Sequence, residues 1–303
     1  MQRQTLKAHI TLGTAMVIFG LMAPFAKDVT NAGITGLQLA TIRIVGGALL
    51  FWLVAPFVER QKVECRDIPK LALAGLLGVA AAQATLVVGI SITSPVNASV
   101  EVTIQPIFTM LLAALLLGEP ITWKKASGVT LGCAGAIILI MLGATTGGRA
   151  ADYRGDLIIL TGQMCFALYL TLFIKLIRKY PILTFNRWVF SFASLFLLPF
   201  TIKDMANLDT SLLTARVVGE MAYIIIACTF LTFLLTVFSQ RYLRPTVISA
   251  YNYIQPVVTV IGSLVMGVAV LSPWQVVAAL LIFSGVWLVI KSRAKGKNEI
   301  IQE

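Results

Sequence analysis

The sequence has 303 residues, of which 58% are hydrophobic and 12% charged, and its mean hydropathy is +0.90. Soluble domains carry about a quarter charged residues, so this composition excludes a water-soluble globule and indicates that most of the chain faces lipid. The net charge of +11 can indicate nucleic-acid binding, but in a membrane protein a basic excess collects in cytoplasmic loops.

Apolar runs of about 20 residues, the length that crosses a bilayer as a helix, recur along the whole chain. We therefore expect an all-α integral membrane protein with ten transmembrane helices, and no cleaved signal or separate soluble domain. The predicted spans are, in chain order, 9–27, 36–57, 69–90, 94–117, 123–143, 156–176, 182–202, 219–240, 245–268 and 273–291.

The distribution of basic residues predicts the orientation of these spans. If the N-terminus is cytoplasmic, most of the 24 lysines and arginines lie in inside segments. Those that lie outside are Lys27, Arg149, Arg154, Lys203 and Arg216. This asymmetry follows the positive-inside rule. We expect a multi-pass protein of the cytoplasmic (inner) membrane with both termini cytoplasmic, and no nucleic-acid partner.

Two Gln-Pro pairs, Gln105-Pro106 and Gln255-Pro256, lie 150 residues apart and indicate an internal repeat. Other pairs that match at this offset are Pro95 with Pro245, Ser99 with Ser249, Ile104 with Ile254, and Gly135 with Gly285. The halves 1–150 and 151–303 then hold five spans each. Because five is odd, the second half enters the membrane from the opposite side, which gives the inverted repeat typical of alternating-access transporters.

The pattern "P…QP…LLLGEPIT…G…G" from Pro95 to Gly135, echoed from Pro245 to Gly285, resembles the EamA-type members of the drug/metabolite transporter superfamily. In the second half "GVAVLSP" replaces the "GE" box, so the acidic residue is missing there. The resemblance implies an inner-membrane carrier that exports small metabolites or amino acids. It also implies a central cavity formed by spans one to four and six to nine, with spans five and ten at the periphery.

Glu101 is the acidic residue that lies well inside a predicted span, and an ionised side chain there is costly without a partner. Arg43 lies at a similar depth, about 10 Å from the outer boundary at 1.5 Å per residue. We hypothesise that the two residues face one cavity. Three roles stay open: a fixed structural salt bridge, protonation of Glu101 as a coupling event, and direct contact with the substrate.

Gln105 and Gln255 lie near the midplanes of spans four and nine. Pro106 and Pro256 each remove an intrahelical hydrogen bond, and such breaks are tolerated where the backbone lines protein or water. We predict that the two prolines are hinges and that the glutamines line a cavity, the alternative being a pair of kinked packing helices.

Further candidates add hydrogen-bonding groups to this cavity. Tyr251 is the counterpart of Glu101 at the 150-residue offset, and Asn252 follows it. An uncharged, aromatic wall opposite one carboxylate suits an amphipathic organic solute better than a divalent cation, which prefers several oxygen anions. The remaining candidates are Gln83, Gln163, Tyr169 and Arg187. Arg187 is included because it matches Arg43 at an offset of 144, although its place near the inner boundary also fits snorkelling.

An intramembrane enzyme is not expected. The single histidine, His9, lies at the edge of span one, and "GATTGG" at 143–148 is not followed by the Lys-Ser/Thr of a phosphate-binding loop. No cofactor and no metal site are predicted. The sequence thus favours a secondary transporter of a small organic metabolite, as a monomer or homodimer, with a channel-like uniport facilitator or a lipid or drug exporter as the alternatives.

Overall fold

The computed structural model describes residues 2–57, 61–92, 103–143, 153–255, 257–258, 261 and 273–292. Within this part of the chain the regular structure is helical, as the sequence predicts. The α-helices are α1 (Gln2–Gly20), α2 (Met22–Asn31), α3 (Gly36–Val54), α4 (Ile68–Gly75), α5 (Ala82–Ile92), α6 (Gln105–Leu117), α7 (Trp123–Gly143), α8 (Tyr153–Leu172), α9 (Ile174–Lys179), α10 (Ile182–Ala206), α11 (Ala215–Ile225), α12 (Thr232–Gln240), α13 (Pro245–Tyr251) and α14 (Pro273–Lys291).

Helix bounds agree with the predicted spans in some places and differ in others. Helices α7 and α14 have the bounds predicted for spans five and ten. The first span is divided at Leu21 into α1 and α2, and the sixth is divided at Phe173 into α8 and α9. Four described segments are long and apolar enough to cross a membrane, namely Gly36–Phe57, Cys65–Leu86, Ile182–Ala206 and Ala215–Gln240. The number of spans beyond these four stays a prediction.

Two helices contain a wide π-helical turn that hydropathy does not predict. Helix α4 continues into α5 through Leu76–Ala81, and α11 continues into α12 through Ile226–Leu231. The two turns lie 150 residues apart, which is the offset of the Gln-Pro pairs. In the second turn the Thr229 hydroxyl donates to the Ile224 carbonyl, five residues earlier, over 2.9 Å. Such turns insert one extra residue into a helix and are frequent at functional sites.

Local signals fix where several helices begin and end. Thr35 caps α3, because its hydroxyl accepts a hydrogen bond from the Gln38 backbone while the Gln38 side chain accepts one from the Thr35 backbone. Gly118 ends α6 in the left-handed region with φ 66°, a conformation that glycine adopts without steric cost. The "GEP" sequence therefore includes the turn that follows α6.

The helices of the two halves pack against one another in pairs. The main pairs, in order of decreasing contact, are α7 with α14, α5 with α8, α3 with α10, α6 with α8, α1 with α12, α4 with α10, and then α6 with α13 and α2 with α11. Glycines of α7 permit close approach of its neighbours. A Cβ atom at Gly128 would lie 2.7 Å from the Gly285 carbonyl oxygen of α14, and one at Gly132 would lie 2.5 Å from the ring of Tyr253, in the turn after α13. The Gly128-x-x-x-Gly132 motif is thus used within the chain.

Most buried apolar residues form one core around α3, α8, α10 and α12, with Phe51, Phe190 and Tyr169 among its largest side chains. A smaller core of Val29, Ile34, Leu39, Val217, Met221 and Ile224 joins α2 and α11. The polar side chains described next are enclosed between these helices.

Candidate functional site

A backbone turn lies just before the glutamine of each Gln-Pro pair. Helix α6 begins at Gln105, directly after a turn at Thr103 and Ile104. Helix α13 ends at Tyr251 and is followed by a turn at Asn252 and Tyr253. The two turns overlap at the 150-residue offset, where Thr103 corresponds to Tyr253.

The predicted hinge at Pro106 has a different local geometry from the one expected. We expected Pro106 to remove an intrahelical hydrogen bond inside span four, but it occupies the first turn of α6. A proline there removes no intrahelical hydrogen bond, because the first N–H groups of a helix have no partner inside it. Pro256 lies outside the described residues. Just before it, the Gln255 backbone N–H donates to the Asn252 carbonyl over 3.1 Å, which closes a tight turn.

Three predicted amide side chains join α6 to the turn that follows α13, and we call them the amide chain: Gln105, Asn252 and Gln255. The Asn252 amide nitrogen donates to the Gln105 amide oxygen over 2.8 Å. The Gln255 amide nitrogen donates to the Asn252 amide oxygen over 3.2 Å. Gln105 is 1% exposed and donates in turn to the Thr109 hydroxyl over 2.9 Å. Asn252 therefore connects the glutamine side chains of the two Gln-Pro pairs.

Helix α1 lies against this junction. The Gln255 amide nitrogen contacts the Met16 sulfur at 3.4 Å. Near the start of α1, His9 Nδ1 and the Tyr251 hydroxyl form a hydrogen bond of 2.9 Å, with the two rings stacked at 5.9 Å. Tyr251 was a predicted site residue. Its partner His9 was missed, because one histidine at a span edge gives no pattern in the sequence.

Arg43 forms a second polar group between the halves. Its guanidinium is enclosed, with 6% of the residue exposed. The Nε atom donates to the Thr229 hydroxyl over 2.8 Å, and one terminal nitrogen donates to the Gln83 amide oxygen over 3.0 Å. The guanidinium also lies 5.2 Å from the centre of the Phe19 ring, in a cation–π contact. Sequence reasoning missed Thr229, from the wide turn after α11, and Phe19, because threonine and phenylalanine are common in apolar helices.

The partner of Arg43 differs from the one hypothesised. Among the residues that the structure describes, no carboxylate lies within ion-pair distance of Arg43. Its described partners are neutral. Glu101, the hypothesised partner, lies outside the described residues, so a pair between the two stays a prediction.

The amide chain and the Arg43 group lie on the same side of α1. Met16 contacts the first and Phe19 the second. These two residues are three positions apart, which places them on one face of a helix. One face of α1 therefore runs past both polar groups.

The other predicted candidates lie elsewhere. Tyr169 is 1% exposed and packs on Gly78, where a Cβ atom would lie 2.4 Å from its ring. Gln163 is buried on the same helix, α8. Arg187 lies over the Trp52 ring at 4.5 Å, beside a cavity of about 270 Å³ between α3 and α10. None of these three residues has a described hydrogen bond to the amide chain or to Arg43.

The sequence matches the EamA-like transporter family twice, over residues 6–141 and 153–291. The chain belongs to the EamA-like transporter family. A transporter of Archaeoglobus fulgidus with no assigned function is 22% identical over 288 residues, which cover 95% of this chain and all of that protein. A "Probable terminal-alkyne amino-acid exporter" of Streptantibioticus cattleyicolor is 29% identical over 167 residues, which cover 55% of this chain and 54% of that protein. A solved crystal structure with 18% identity has the same fold, with a TM-score of 0.77 over 96% of this chain.

Family membership and the apolar helices indicate a multi-pass membrane transporter with a small-molecule substrate. The relatives are named as transporters, which points to transport and not to catalysis.

In this EamA-like protein, Glu119 of the "GEP" sequence forms a buried ion pair. The Lys125 ammonium is 2.9 Å from a Glu119 carboxylate oxygen, and the two side chains are 1% and 4% exposed. Thr246, at the start of α13, donates to the same oxygen over 3.2 Å. These contacts connect the loop between α6 and α7 to the first turn of α13.

Ionic contacts also join the ends of helices. In the first cluster, the Lys179 ammonium lies 2.5 Å from Asp67 and 2.6 Å from Glu64, and Tyr180 donates to Asp67 over 2.8 Å. Hydrogen bonds from Lys179 and from Arg66 lower the pKa of Glu64, and hydrogen bonds to Asp67 and Glu64 raise the pKa of Lys179. This cluster joins the start of α4 to the end of α9.

The second cluster joins α2 to α11. Arg216 pairs with Asp28 of α2 and with Glu220, at 3.1 Å, of its own helix. Arg216 is 73% exposed on its side chain, whereas Asp67 in the first cluster is 4% exposed. The first cluster is therefore the more enclosed of the two.

Proposed function

We propose that this protein is a secondary transporter that exports a small organic metabolite, an amino acid or an amphipathic solute, across the cytoplasmic membrane by alternating access. The observation that carries the proposal is the amide chain. It joins the first residue of α6 to the turn that follows α13, and its two glutamines correspond at the 150-residue offset. Polar side chains and interrupted backbone at membrane depth mark substrate sites in transporters of this kind.

Packing supports an arrangement of two equivalent halves, 1–150 and 151–303, with five spans each. The helix pairs α3–α10, α7–α14 and α6–α13 each join equivalent spans. When the halves are exchanged, α1 corresponds to α8 and α12 corresponds to α5. The pair α1–α12 therefore corresponds to the pair α5–α8. The wide turns 150 residues apart add a second, independent correspondence. With an odd number of spans in each half, the two halves have inverted topology.

The two ionic clusters stabilise the two closed states of the transporter. When the halves are exchanged, α4 corresponds to α11 and α9 corresponds to α2. The contact of α4 with α9 therefore corresponds to the contact of α11 with α2. A transporter that opens alternately at its two ends breaks one of these contacts in each state. The Asp67 cluster is the more enclosed, which favours a closed end at the side of Asp67 and Lys179. With the N-terminus cytoplasmic, that end faces the cytoplasm.

The candidate site favours an organic solute over a metal ion. Its described side chains are amides, hydroxyls, aromatic rings and one guanidinium. A divalent cation prefers several oxygen anions. The exporter of Streptantibioticus cattleyicolor, by its name, carries an amino acid, which lends support to a solute of similar size.

A counterflow measurement in proteoliposomes tests the proposal. Purified protein is reconstituted with unlabelled amino acids or amphipathic solutes inside the vesicles, and entry of the labelled solute is followed. A carrier accelerates entry when solute is present on the far side, whereas an open pore does not. Solutes for the assay are first selected by the thermal stabilisation that they give to the purified protein.

A matched pair of variants ties the result to the site. Asn252→Ala cuts the amide chain and is expected to reduce counterflow at least tenfold. Leu115→Ala, on α6 but 80% exposed, is the control and is expected to leave counterflow unchanged. Entry that does not respond to solute on the far side would favour the channel-like facilitator and defeat the carrier proposal.

A further inference from the structure

A small cavity with a positively charged wall lies between the end of α3 and the start of α10. Its volume is about 270 Å³, and it is lined by Trp52, Ala55, Pro56 and Arg187. A volume of this size holds roughly nine water molecules, so it admits a phosphate group together with its ester oxygens. Binding sites for small groups combine an apolar lining with a few placed polar groups, and here the polar group is the Arg187 guanidinium.

The Trp52 ring holds this guanidinium at the wall of the cavity. The guanidinium carbon of Arg187 lies 4.5 Å from the centre of the ring, in a cation–π contact. The Trp52 indole N–H donates to the Ser191 hydroxyl over 2.7 Å, and that hydroxyl donates to the Arg187 carbonyl oxygen over 2.8 Å. One turn of α10 therefore fixes the ring, and the ring positions the cation before a ligand binds.

The cavity lies near the depth of lipid headgroups. Pro56 belongs to the short 3₁₀ turn Ala55–Phe57, which ends the span Gly36–Phe57. Arg187 is five residues from the start of α10, or about 8 Å at 1.5 Å per residue. Long arginine side chains close to a helix end reach the membrane interface, where tryptophan is also enriched. In the predicted orientation this end of both helices faces the cytoplasm.

Apolar side chains beside the cavity are exposed on the outside of the helix bundle. Leu53 and Phe57 follow Trp52 and Pro56 in the sequence, and both are exposed. Large apolar side chains exposed at the end of a membrane span contact the acyl chains of lipids. A lipid at this position therefore meets a cation at the depth of its headgroup and an apolar surface at the depth of its chains.

We propose that this cavity binds the phosphate group of an anionic phospholipid from the adjacent leaflet. Arg187 donates hydrogen bonds to the phosphate oxygens, and an acyl chain lies along Leu53 and Phe57. The planar guanidinium suits this role, because it keeps its charge and presents two parallel N–H groups to a phosphate. The bound lipid joins the ends of α3 and α10. The inference goes beyond the proposed function and does not depend on which solute is transported.

The test measures thermal unfolding of the purified full-length protein in a neutral detergent. Phosphatidylglycerol, with one net negative charge, or phosphatidylcholine with the same acyl chains and no net charge is titrated into the micelles. Saturable stabilisation by phosphatidylglycerol is expected at a mole fraction about fivefold lower than for phosphatidylcholine, the effect of one charge beside a basic residue at the membrane surface. Glycerophosphoglycerol, the same headgroup without acyl chains, is expected to give no saturable stabilisation at the same total concentration.

Variants of Arg187 test its part in the site. Arg187→Gln is expected to weaken phosphatidylglycerol binding about tenfold, because a charged hydrogen-bond donor is lost, and to remove the preference over phosphatidylcholine. Arg187→Lys keeps the charge and is expected to retain the preference with weaker binding, so it carries the test if the glutamine variant does not fold. The control is Lys124→Gln, which removes one exposed cation at the start of α7 and is expected to leave phosphatidylglycerol binding unchanged.

Each contrary outcome has a separate meaning. A preference for phosphatidylglycerol that persists in Arg187→Gln, or that is lost equally in Lys124→Gln, overturns the site at Arg187. Equal stabilisation by the two lipids in the unaltered protein overturns the selection by charge. Saturable stabilisation by glycerophosphoglycerol at the concentration where phosphatidylglycerol acts identifies a soluble phosphate compound as the occupant and overturns the lipid assignment.

Discussion

Replacement of Lys125 by methionine is expected to destabilise the protein strongly. Lys125 and Glu119 lie 2.9 Å apart and are 1% and 4% exposed. Without the ammonium group, the Glu119 carboxylate keeps only the Thr246 hydroxyl, at 3.2 Å, among its described side-chain partners. Removal of one partner of a buried ion pair costs about 3–5 kcal/mol, because the other charge stays buried and unpaired. We expect a loss of this size in the free energy of unfolding.

The double variant Glu119→Gln with Lys125→Met separates this cost from the value of the pair. Once both charges are gone, no buried ion is left unpaired, so the loss should fall well below that of Lys125→Met alone. A coupling energy of about 2–3 kcal/mol is expected from the double-mutant cycle. Equilibrium unfolding in mixed micelles, with denaturing detergent titrated into neutral detergent, measures all four proteins. Equal losses for the single and double variants would refute the reasoning, because they would show that Glu119 does not need its partner.

Three further outcomes are expected. Asn252→Ala should reduce counterflow at least tenfold but cost only about 1–2 kcal/mol of stability, the value of an interhelical hydrogen bond in a membrane; a stability loss that explains the whole effect would contradict a role in transport. Gly128→Leu should greatly lower the yield of folded protein, since it places a side chain against the backbone of α14; unchanged yield and unfolding midpoint would show that the contact is dispensable. The pKa of Glu64 is lowered by Lys179, so its stabilising effect is present at neutral pH and is lost as the pH falls through that lowered pKa; the acid-side decline of the unfolding midpoint should be shallower in Glu64→Gln, and an identical decline would argue against the pair.

Part of the architecture could be predicted because membrane helices follow hydropathy and turn residues. The bounds of α7 and α14 were predicted from apolar runs that begin at Trp123 and Pro273. The break at Leu21 and the wide turns were not predicted. Hydropathy reports burial in lipid and carries no information about a hydrogen bond that shifts from the fourth to the fifth residue.

The candidate site was predicted where a polar residue is rare in its surroundings. Arg43, Gln83, Gln105 and Asn252 stand out in apolar runs, and the structure brings them into two groups. Thr229 and Met16 could not be found this way, because threonine and methionine are ordinary in such runs.

Two predicted site residues lie away from the candidate site, and there is a physical reason for each. Arg187 was included because of an offset match with Arg43, but position along a helix does not fix the neighbours of a side chain. Its guanidinium covers the Trp52 ring near the end of α3. Tyr169 was included for its hydroxyl, and the structure packs its ring against Gly78.

The wide turns at Leu76–Ala81 and Ile226–Leu231 bear on the history of the gene. The chain consists of two segments of one family, and each carries an additional residue at the same position of the same helix. Two independent insertions at one position are a less economical account than a single insertion before duplication. An ancestral half-length protein, assembling from two copies, would then already have possessed this irregularity.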